Sequence, residues 1–328
     1  MKNNILVAGC GYWGKNLVRN FHELGCLKFV ADTNKEILEA ISNEYQVEAI
    51  DYDDGVKSEY IDAVVIASPA QFHEEMALKA INQNKDVYIE KPLSLTTESA
   101  TRIIEAAKRK SVKVMVGHLL QYHPVFEDLK KLVKEGLIGD ITYLYSNRMS
   151  FGKVRTNEDV IWSFAPHDIS MILSIAGKNP MAITATKTST VQDSISDTSH
   201  IHLEFGHINA HIFVSWLSPF KEQKFVISGK KGSLIFDDTQ DWDKKLMHVK
   251  HTVEIADGNP VLNKSDHEFI KVEFSEPLKK ECKYFVDLIN NKVPSRTGGK
   301  EGLSVIKTLM AASESANLNK RIELKNEK

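Results

Sequence analysis

Short apolar runs alternate with longer amphipathic segments along the first 120 residues of the chain. The runs lack polar alternation, which is typical of strands buried on both faces of a sheet. Segments with helical periodicity separate them, and strands joined through helices imply crossover connections and a parallel sheet. The predicted strands are Ile5–Ala8, Phe29–Ala31, Ala63–Ala67, Val87–Ile89 and Val112–Val116. The predicted helices are Gly14–Leu24, Lys35–Ser42, Glu74–Asn82 and Thr97–Lys108. The pattern predicts an α/β domain with a doubly wound parallel sheet.

The hydrophobic period changes to two after Gly139, which indicates half-exposed strands of a mostly antiparallel sheet. The alternating residues begin with Ile141, Tyr143 and Tyr145 on one face and Thr142, Leu144 and Ser146 on the other. Further strands are predicted at Ala182–Thr190, His200–Phe205, Ile208–Trp216, Lys224–Ser228 and Ser233–Phe236. Helices are predicted at His123–Lys134, His167–Ile175, Leu278–Asn290 and Lys300–Leu318. We therefore expect two domains, residues 1–120 and an α+β domain at 121–328 with a large open sheet, and a ligand site in the cleft between them.

The string GCGYWG at residues 9–14 lies between the first predicted strand and the first predicted helix. In that context Gly9 permits a tight turn, Gly11 admits a pyrophosphate close to the backbone, and Gly14 lets the helix pack against the strand. Free N–H groups at the helix N-terminus would face the phosphates. The second strand ends at Asp32, eighteen residues after Gly14, where a carboxylate suits ribose hydroxyls and repels a 2′-phosphate. A Rossmann domain that binds NAD is predicted, and a purely structural glycine turn is the alternative.

Composition and charge exclude several other classes of protein. The chain has 328 residues, 42% of them hydrophobic, which is too long for one ordinary core. The formal net charge is −2 without a block of like charge, so neither a nucleic-acid footprint nor a membrane-surface patch is indicated. The longest apolar runs are far shorter than a bilayer span, and no signal-peptide pattern is seen. The three cysteines show no C-x-x-C spacing, so we expect them to be reduced thiols. Reduced thiols are typical of cytoplasmic proteins, and we therefore expect a cytoplasmic location.

Three further motifs follow the glycine-rich loop in order along the chain. They are SPAQFH at residues 68–73, Glu90-Lys91-Pro92 after the fifth strand, and the His-Asp pair at residues 167–168. Together with the loop they resemble the Gfo/Idh/MocA oxidoreductases, the family of glucose–fructose oxidoreductase and inositol 2-dehydrogenase. With this resemblance, the predicted cofactor-binding residues are Gly9, Gly11, Tyr12, Trp13, Gly14, Asp32, Ser68, Pro69, His73, Glu90 and Lys91.

Lys91 and His167 are the predicted catalytic residues. Lys91 lies at the carboxyl end of a buried strand, where ligands bind in open α/β sheets, and it could donate to a substrate oxygen and share in proton transfer. His167 suits the base that takes the hydroxyl proton while hydride leaves carbon. The alternatives are a lysine neutralised by Glu90 and a histidine that caps a helix or packs in the core. Many members of the family carry an aspartate four positions before the histidine, and here that position is Ser163.

The predicted substrate-binding residues combine aromatic, polar and basic side chains. They are Lys91, Tyr122, His123, Arg148, Arg155, Trp162, Ser163 and His167. Arginines bind phosphate or carboxylate bidentately, although a solvated loop or packing residues would carry the same side chains. The loop NRMSFGKVR at residues 147–155, which holds three cations, and the sequence WSFAPHD at residues 162–168 resemble the branch of the family that acts on nucleotide sugars. The members of that branch are the UDP-N-acetylglucosamine and UDP-N-acetylglucosaminuronate 3-dehydrogenases. This resemblance implies oxidation of a ring C3 hydroxyl. A cyclitol or free-sugar dehydrogenase and a non-catalytic NAD-binding regulator are the competing functions.

His200, His202 and Glu204 alternate on one strand and resemble metal ligands. Residues on one strand face rarely complete a metal site, and hydride transfer to NAD needs no metal, so no metal is predicted. We expect Ile201, Leu203 and Phe205 to face the core and the polar set to face a second subunit or solvent. The predicted partners are a small sugar substrate and further copies of the chain, in a homodimer or homotetramer.

Overall fold

The computed structural model describes residues 3–324 and divides into two compact units. The first unit runs through Tyr122 and also includes Glu276–Ile306, whereas the second comprises His123–Ser275 and the chain from Lys307 onward. The first break therefore falls within two residues of the predicted boundary. Residues 276–306, which the sequence prediction assigned to the second domain, pack with the first unit.

The first unit contains a parallel sheet that confirms the predicted Rossmann architecture. Within its described part, six strands lie in the order β3-β2-β1-β4-β5-β6, and every neighbouring pair is parallel. The strands are β1 (Ile5–Ala8), β2 (Leu27–Ala31), β3 (Glu48–Ala49), β4 (Ala63–Ile66), β5 (Asp86–Glu90) and β6 (Val114–Gly117). The strand order reverses beside β1, which is the position where doubly wound sheets bind ligands at their carboxyl ends.

Helices connect these strands as the sequence predicts, with one short helix in addition. They are α1 (Gly14–Glu23), α2 (Lys35–Tyr45), α3 (Tyr52–Lys57), α4 (His73–Asn82) and α5 (Thr97–Lys110). Side-chain caps fix several starts: the Asn34 side chain accepts from the backbone N–H groups of Glu36 and Ile37. The Asp51 carboxylate caps α3 in the same way, and α3 is only six residues long, too short for a clear helical period.

The second unit contains an open, mostly antiparallel sheet, which is also as predicted. Among its described residues, nine strands lie in the order β16-β13-β12-β11-β7-β10-β9-β8-β17. The β7–β10 pair is parallel, and the other pairs are antiparallel. The strands are β7 (Ile141–Phe151), β8 (Ala182–Thr188), β9 (Thr198–Glu204), β10 (Asn209–Ser215), β11 (Leu217–Gly229), β12 (Gly232–Asp237), β13 (Leu246–Val249), β16 (His267–Phe269) and β17 (Ile322–Glu323), while β14 (Thr252–Ala256) and β15 (Asn259–Asn263) form a separate hairpin.

One face of this sheet is buried and carries the residues that the alternation predicts. Ile201, Leu203 and Phe205 are at most 1% exposed, whereas His200 is exposed and His202 is half-buried. Two helices of this unit are α6 (Pro124–Lys134) and α7 (Val160–Ala176). The structure therefore leaves the histidine-bearing face of the sheet accessible within the unit.

Helix α7 begins earlier than predicted. The sequence predicts a start at His167, but the Asp159 carboxylate caps the helix by accepting from the Trp162 N–H at 3.1 Å. Pro166 lies inside the helix rather than in its first turn, where proline is best tolerated. His167 is consequently a residue of the helix interior, and a role in capping the start of α7 is excluded.

Two long helices complete the fold: α8 (Pro277–Ile289) and α9 (Gly299–Leu318). Leu278, Cys282 and Phe285 of α8 join the hydrophobic core of the first unit. The Phe285 ring packs in T-shaped arrangements with Phe21 and Tyr88, at centroid distances of 6.3 and 5.7 Å. Apolar burial of this kind carries most of the free energy that holds a helix to a sheet, so α8 belongs with the parallel sheet.

Candidate active site

The glycine-rich loop has the geometry that a bound pyrophosphate requires. Gly9 has φ +91°, and a Cβ there would lie 2.6 Å from the Ala67 carbonyl carbon. A Cβ at Gly14 would lie 1.8 Å from the Gly9 carbonyl oxygen, so α1 can start here only with glycine. A Cβ at Gly11, in contrast, would meet nothing within 4 Å. The open space at Gly11, beside the first turn of α1, is where the phosphates of NAD would meet free backbone N–H groups.

Asp32 closes the other side of this loop at the end of β2. Its Oδ2 accepts a hydrogen bond from the Cys10 N–H at 2.6 Å, and its Oδ1 accepts from the Asn34 N–H at 2.8 Å. Burial and the Asp32 charge raise the pKa of the Cys10 thiol to about 12, so this thiol stays protonated. The carboxylate is held half-buried at the edge of the loop, which fits a contact with the adenosine ribose.

His73 ties two loops of the site together and is buried. Its Nδ1 lies 2.8 Å from the Pro92 carbonyl oxygen, and its Nε2 lies 2.9 Å from the Ser68 carbonyl oxygen. Burial lowers the pKa of His73, although the two carbonyls oppose this effect. The predicted cofactor contact of His73 is therefore better described as support: the ring holds the Ser68–Pro69 turn against the segment that follows Lys91.

Glu90 is the centre of a buried hydrogen-bond network at the carboxyl end of β5. Its Oε1 accepts from the Trp13 indole N–H at 2.7 Å and from the Tyr88 hydroxyl at 3.0 Å, and its Oε2 accepts from the Lys91 backbone N–H at 3.2 Å. Burial raises the pKa of Glu90, while the donors from Trp13 and Tyr88 and the charge of Lys91 lower it. A Cβ at Gly117 would lie 2.9 Å from Oε1, so β6 carries glycine beside this carboxyl. The network holds Lys91 at the edge of the sheet, where it is half-buried.

His167 is positioned by α7, which is anchored through its neighbour Asp168. The Asp168 carboxylate is fully buried and accepts from Arg148 Nε at 2.7 Å and Arg148 Nη2 at 3.1 Å. The Ser146 hydroxyl donates to the same carboxylate at 2.5 Å. A paired, bidentate arginine of this kind fixes the helix against β7. Arg148 was predicted to bind substrate, and these contacts favour a structural role instead.

Tyr122 and His123 also have structural contacts where substrate contacts were predicted. The Tyr122 side chain is buried, and its hydroxyl pairs with the Thr297 hydroxyl at 2.7 Å. The His123 Nδ1 caps α6 by accepting from the Val125 N–H at 3.2 Å, and its ring stacks on Trp242 at 5.4 Å. Because burial and internal partners occupy both side chains, the structure favours packing roles for them.

The remaining predicted substrate residues lie in the second unit before and within α7. The Arg155 side chain is 41% exposed and lies 3.5 Å from Glu158. The Trp162 indole N–H donates to the Ser313 hydroxyl at 3.0 Å, and Ser163 is buried. Arg155 thus keeps the accessibility that recognition of an anionic group requires.

Sequence reasoning missed two residues that support the site. Gly117 gives no signal of its own, since its role depends on a contact with the neighbouring strand. Glu281 does give one: it lies among Leu278, Cys282, Phe285 and Leu288, which recur at helical spacing on the apolar face of α8. An acid within an apolar helical face is unusual and marks a buried carboxyl.

The parallel sheet, the glycine-rich loop and the acid after β2 define a dinucleotide-binding oxidoreductase of two units. The family model described as an oxidoreductase family with an NAD-binding Rossmann fold, Gfo/Idh/MocA, matches residues 3–118, and the Gfo/Idh/MocA C-terminal domain matches residues 126–235. The chain belongs to the Gfo/Idh/MocA oxidoreductase family and binds NAD.

Two relatives and one solved structure show how the chain compares with other proteins of known name. An inositol 2-dehydrogenase from Rhizobium meliloti is 23% identical over 90% of this chain and 90% of its own length. A UDP-N-acetylglucosamine 3-dehydrogenase from Acidithiobacillus ferrooxidans is 28% identical over 57% of this chain and 58% of its own length. The solved structure of the latter enzyme aligns with a TM-score of 0.84 over 96% of this chain and 97% of the other, at 22% identity. This structural similarity establishes the fold.

Proposed function

We propose that the protein is an NAD-dependent dehydrogenase that transfers hydride between nicotinamide and a ring carbon of a sugar. The substrate we assign is a UDP-linked amino sugar or its uronate, oxidised at C3. The assignment of a dehydrogenase rests on the position of Lys91. The hydrogen-bond network around Glu90 holds this residue at the carboxyl end of β5. That end of a doubly wound sheet is where nicotinamide and substrate meet. The expected location is the cytoplasm.

The chain's own residues have separate tasks in this mechanism. The glycine-rich loop and Asp32 would hold NAD, which would supply the hydride acceptor. Lys91 donates a hydrogen bond to the reacting oxygen and stabilises the negative charge that develops on it. His167 takes the hydroxyl proton, and its orientation depends on the anchoring of α7 by Asp168. Ser163 replaces the acidic partner of many relatives, so the proton transfer depends on Lys91 and His167 alone in this proposal.

Arg155 is the residue that we assign to the anionic part of the substrate. Arg148 forms an ion pair with the buried Asp168, whereas the Arg155 side chain is 41% exposed. Lys153, two residues before Arg155, is also exposed. A guanidinium binds a diphosphate in two-point fashion. The similarity to a UDP-N-acetylglucosamine 3-dehydrogenase supports the same substrate class. The similarity to an inositol 2-dehydrogenase along 90% of this chain favours a cyclitol as the second candidate.

A substrate panel separates the two candidates. NAD reduction is followed with UDP-, dTDP- and GDP-linked sugars and with free inositols, for the wild-type protein and for Arg155→Gln. The proposal requires turnover with a UDP-sugar and a raised KM for that sugar in Arg155→Gln. Turnover with inositols only, with a KM that Arg155→Gln leaves unchanged, would establish the cyclitol dehydrogenase. NAD binding without turnover of any of these compounds would favour the regulator.

Asp32→Ala is expected to weaken NAD binding and to reduce the preference for NAD over NADP. The carboxylate is placed to accept from the ribose hydroxyls and to repel a 2′-phosphate, and Thr33 adds no positive charge beside it. Calorimetric titration of both dinucleotides measures the change. Asp54→Ala, which removes an exposed carboxylate on α3, is the control. If Asp32→Ala left the ratio of the affinities for NAD and NADP unchanged, the assignment of Asp32 to the ribose would be refuted.

We also propose that the histidine-bearing face of the nine-stranded sheet contacts a second copy of the chain. A groove of about 520 Å³ on this face is lined by Tyr143, Tyr145, His200, His202, His211 and Phe213, among others. The His200 and Phe213 rings stack at 4.2 Å, and the His202 and His211 rings lie 4.5 Å apart. Glu204, the last residue of β9, forms an ion pair with Arg321 at 2.8 Å. Aromatic side chains of this density are typical of protein interfaces.

Light scattering at micromolar concentration is expected to find a homodimer or homotetramer. Phe213→Lys places a charge in the aromatic face and should shift the protein toward the monomer. Tyr60→Lys is the matched control, since Tyr60 is 71% exposed and belongs to the first unit. A monomeric wild-type protein would refute the proposed assembly.

A further inference from the structure

Glu281 is a completely buried acid in the core of the first unit. It projects from the apolar face of α8, and its exposed fraction is 0%. Neither carboxyl oxygen has a hydrogen-bond partner of ordinary geometry among the residues that the structure describes. An ionised carboxylate in such a place would lose its hydration without compensation.

Packing places Glu281 near Tyr88: Phe285, one helical turn after Glu281 on α8, packs on the Tyr88 ring at a centroid distance of 5.7 Å. The Tyr88 hydroxyl donates to Glu90. The titratable groups that interact electrostatically with Glu281 are Glu90 and Tyr88 of β5, Cys282 of α8 and Tyr122 in the turn that follows β6. Burial and the charge of Glu90 raise the pKa of Glu281 well above the usual range, and the hydrogen-bonding influence of Tyr88 only partly opposes this.

Lys91, Arg296 and Arg19 are cations of the first unit that interact with neighbours of Glu281. Lys91 lowers the pKa of Glu90, and Arg296 lies over the Tyr122 ring at 4.9 Å. Arg19 is paired with Glu276 and with Glu23. The two acids therefore differ in protonation state. Glu90 accepts three hydrogen bonds and lies next to the charge of Lys91, which stabilises its ionised form. Glu281 has no such stabilisation among the described residues and is the neutral acid of the pair.

We propose that Glu281 is a positioning residue of the active site, an uncharged carboxylic acid that holds the Tyr88 hydroxyl toward Glu90 and keeps a single negative charge beside Lys91. The acid hydrogen of Glu281 is directed to the Tyr88 oxygen, and the Tyr88 hydrogen to Glu90. The chain Glu281–Tyr88–Glu90 then fixes Glu90, whose other oxygen accepts from the Lys91 N–H. The kinetic part of this inference rests on the proposed function of Lys91, and the protonation state of Glu281 does not.

Infrared spectroscopy of the whole, substrate-free protein tests the protonation state directly. A buried carboxylic acid gives a carbonyl stretching band that moves in D2O, separate from the bands of carboxylates and amides. We expect this band at neutral pH in the wild-type protein, its loss in Glu281→Gln, and its retention in Glu90→Gln. A wild-type protein without the band, or a band that Glu90→Gln removes and Glu281→Gln keeps, would overturn the proposal. Since no turnover is measured, this result stands or fails independently of the substrate assignment.

Kinetics then test the positioning role. Glu281→Leu fills the same space without a donor, and replacing a buried acid by an apolar residue is commonly tolerated by the fold. Loss of one hydrogen bond predicts a fall in kcat of about 3- to 10-fold, with the KM for NAD unchanged. Glu281→Gln, which can still donate to Tyr88, should restore kcat relative to Glu281→Leu and should not move the pH profile.

A double variant separates positioning from general packing. Tyr88→Phe should lower kcat by a factor similar to that of Glu281→Leu, and combining the two changes should add little, since both break the same chain. Fully multiplicative losses would contradict the chain, as would a pH profile that shifts in Glu281→Gln. Thermal unfolding of each variant shows whether the fold is retained.

Discussion

Turnover in Lys91→Ala is expected to be about 100- to 10,000-fold lower than in the wild-type protein, the range that a general acid–base group contributes. The structure holds Lys91 at the carboxyl end of β5, with Glu90 fixed by Trp13 and Tyr88 behind it. The affinity for NAD should change little, because we assign the pyrophosphate and ribose contacts to the glycine-rich loop and Asp32. Steady-state kinetics with the sugar identified in the substrate panel, together with calorimetric titration of NAD, measure both quantities.

Two further variants make the Lys91 result specific. Lys57→Ala removes an exposed lysine of the same unit and should leave turnover unchanged. Lys91→Arg keeps the charge but changes the geometry of the donor, so it should recover little activity. A Lys91→Ala protein that retains turnover within about tenfold of the wild type would remove Lys91 from the chemistry.

His167→Ala is expected to produce a loss of the same order, about 100- to 10,000-fold, if His167 accepts the hydroxyl proton. The residue lies in the interior of α7, which Asp168 and Arg148 anchor, so the loss should appear in kcat without unfolding. His167→Asn is the sharper variant, because it keeps a polar group of similar size but cannot accept a proton. Near-normal turnover in a folded His167→Asn protein would assign the proton to Lys91 or to a bound water.

Combining the two changes tests whether they act on one proton. Lys91 belongs to the first unit and His167 to the second, and the proposed mechanism has both residues act on the same substrate hydroxyl. Residues that act as a unit give non-additive losses, and the double variant should cost less than the product of the single losses. A fully multiplicative loss would indicate independent roles.

Much of the first unit could be predicted because its signals are local. The glycines of the loop, the apolar strands and Asp32 lie within one strand–helix–strand segment, and each has a steric or electrostatic reason that the sequence itself displays. The short strand β3 and the short helix α3 escaped prediction. Two exposed residues and a six-residue helix carry too little periodicity to stand out.

The parts that could not be predicted depend on contacts between distant segments. Arg148 reads as a free cation in the sequence, and only the fold shows that it meets Asp168, twenty residues later. Tyr122 reads as a polar aromatic residue, yet its partner Thr297 lies 175 positions away. The sequence predicts a helix that starts at His167, whereas the Asp159 cap starts α7 earlier and leaves Pro166 in the helix interior. Pairing across such separations is set by packing, which composition and spacing do not encode.

The central claim is hydride transfer from a sugar ring carbon to NAD, and isotope transfer tests it most directly. UDP-N-acetylglucosamine carrying deuterium at C3 is incubated with NAD and the wild-type protein, and the mass of the NADH formed is measured. The proposed function predicts NADH that carries the deuterium, formed far more slowly by Lys91→Ala. NADH without the label, or no NADH from this sugar while an inositol yields it, would contradict the claim.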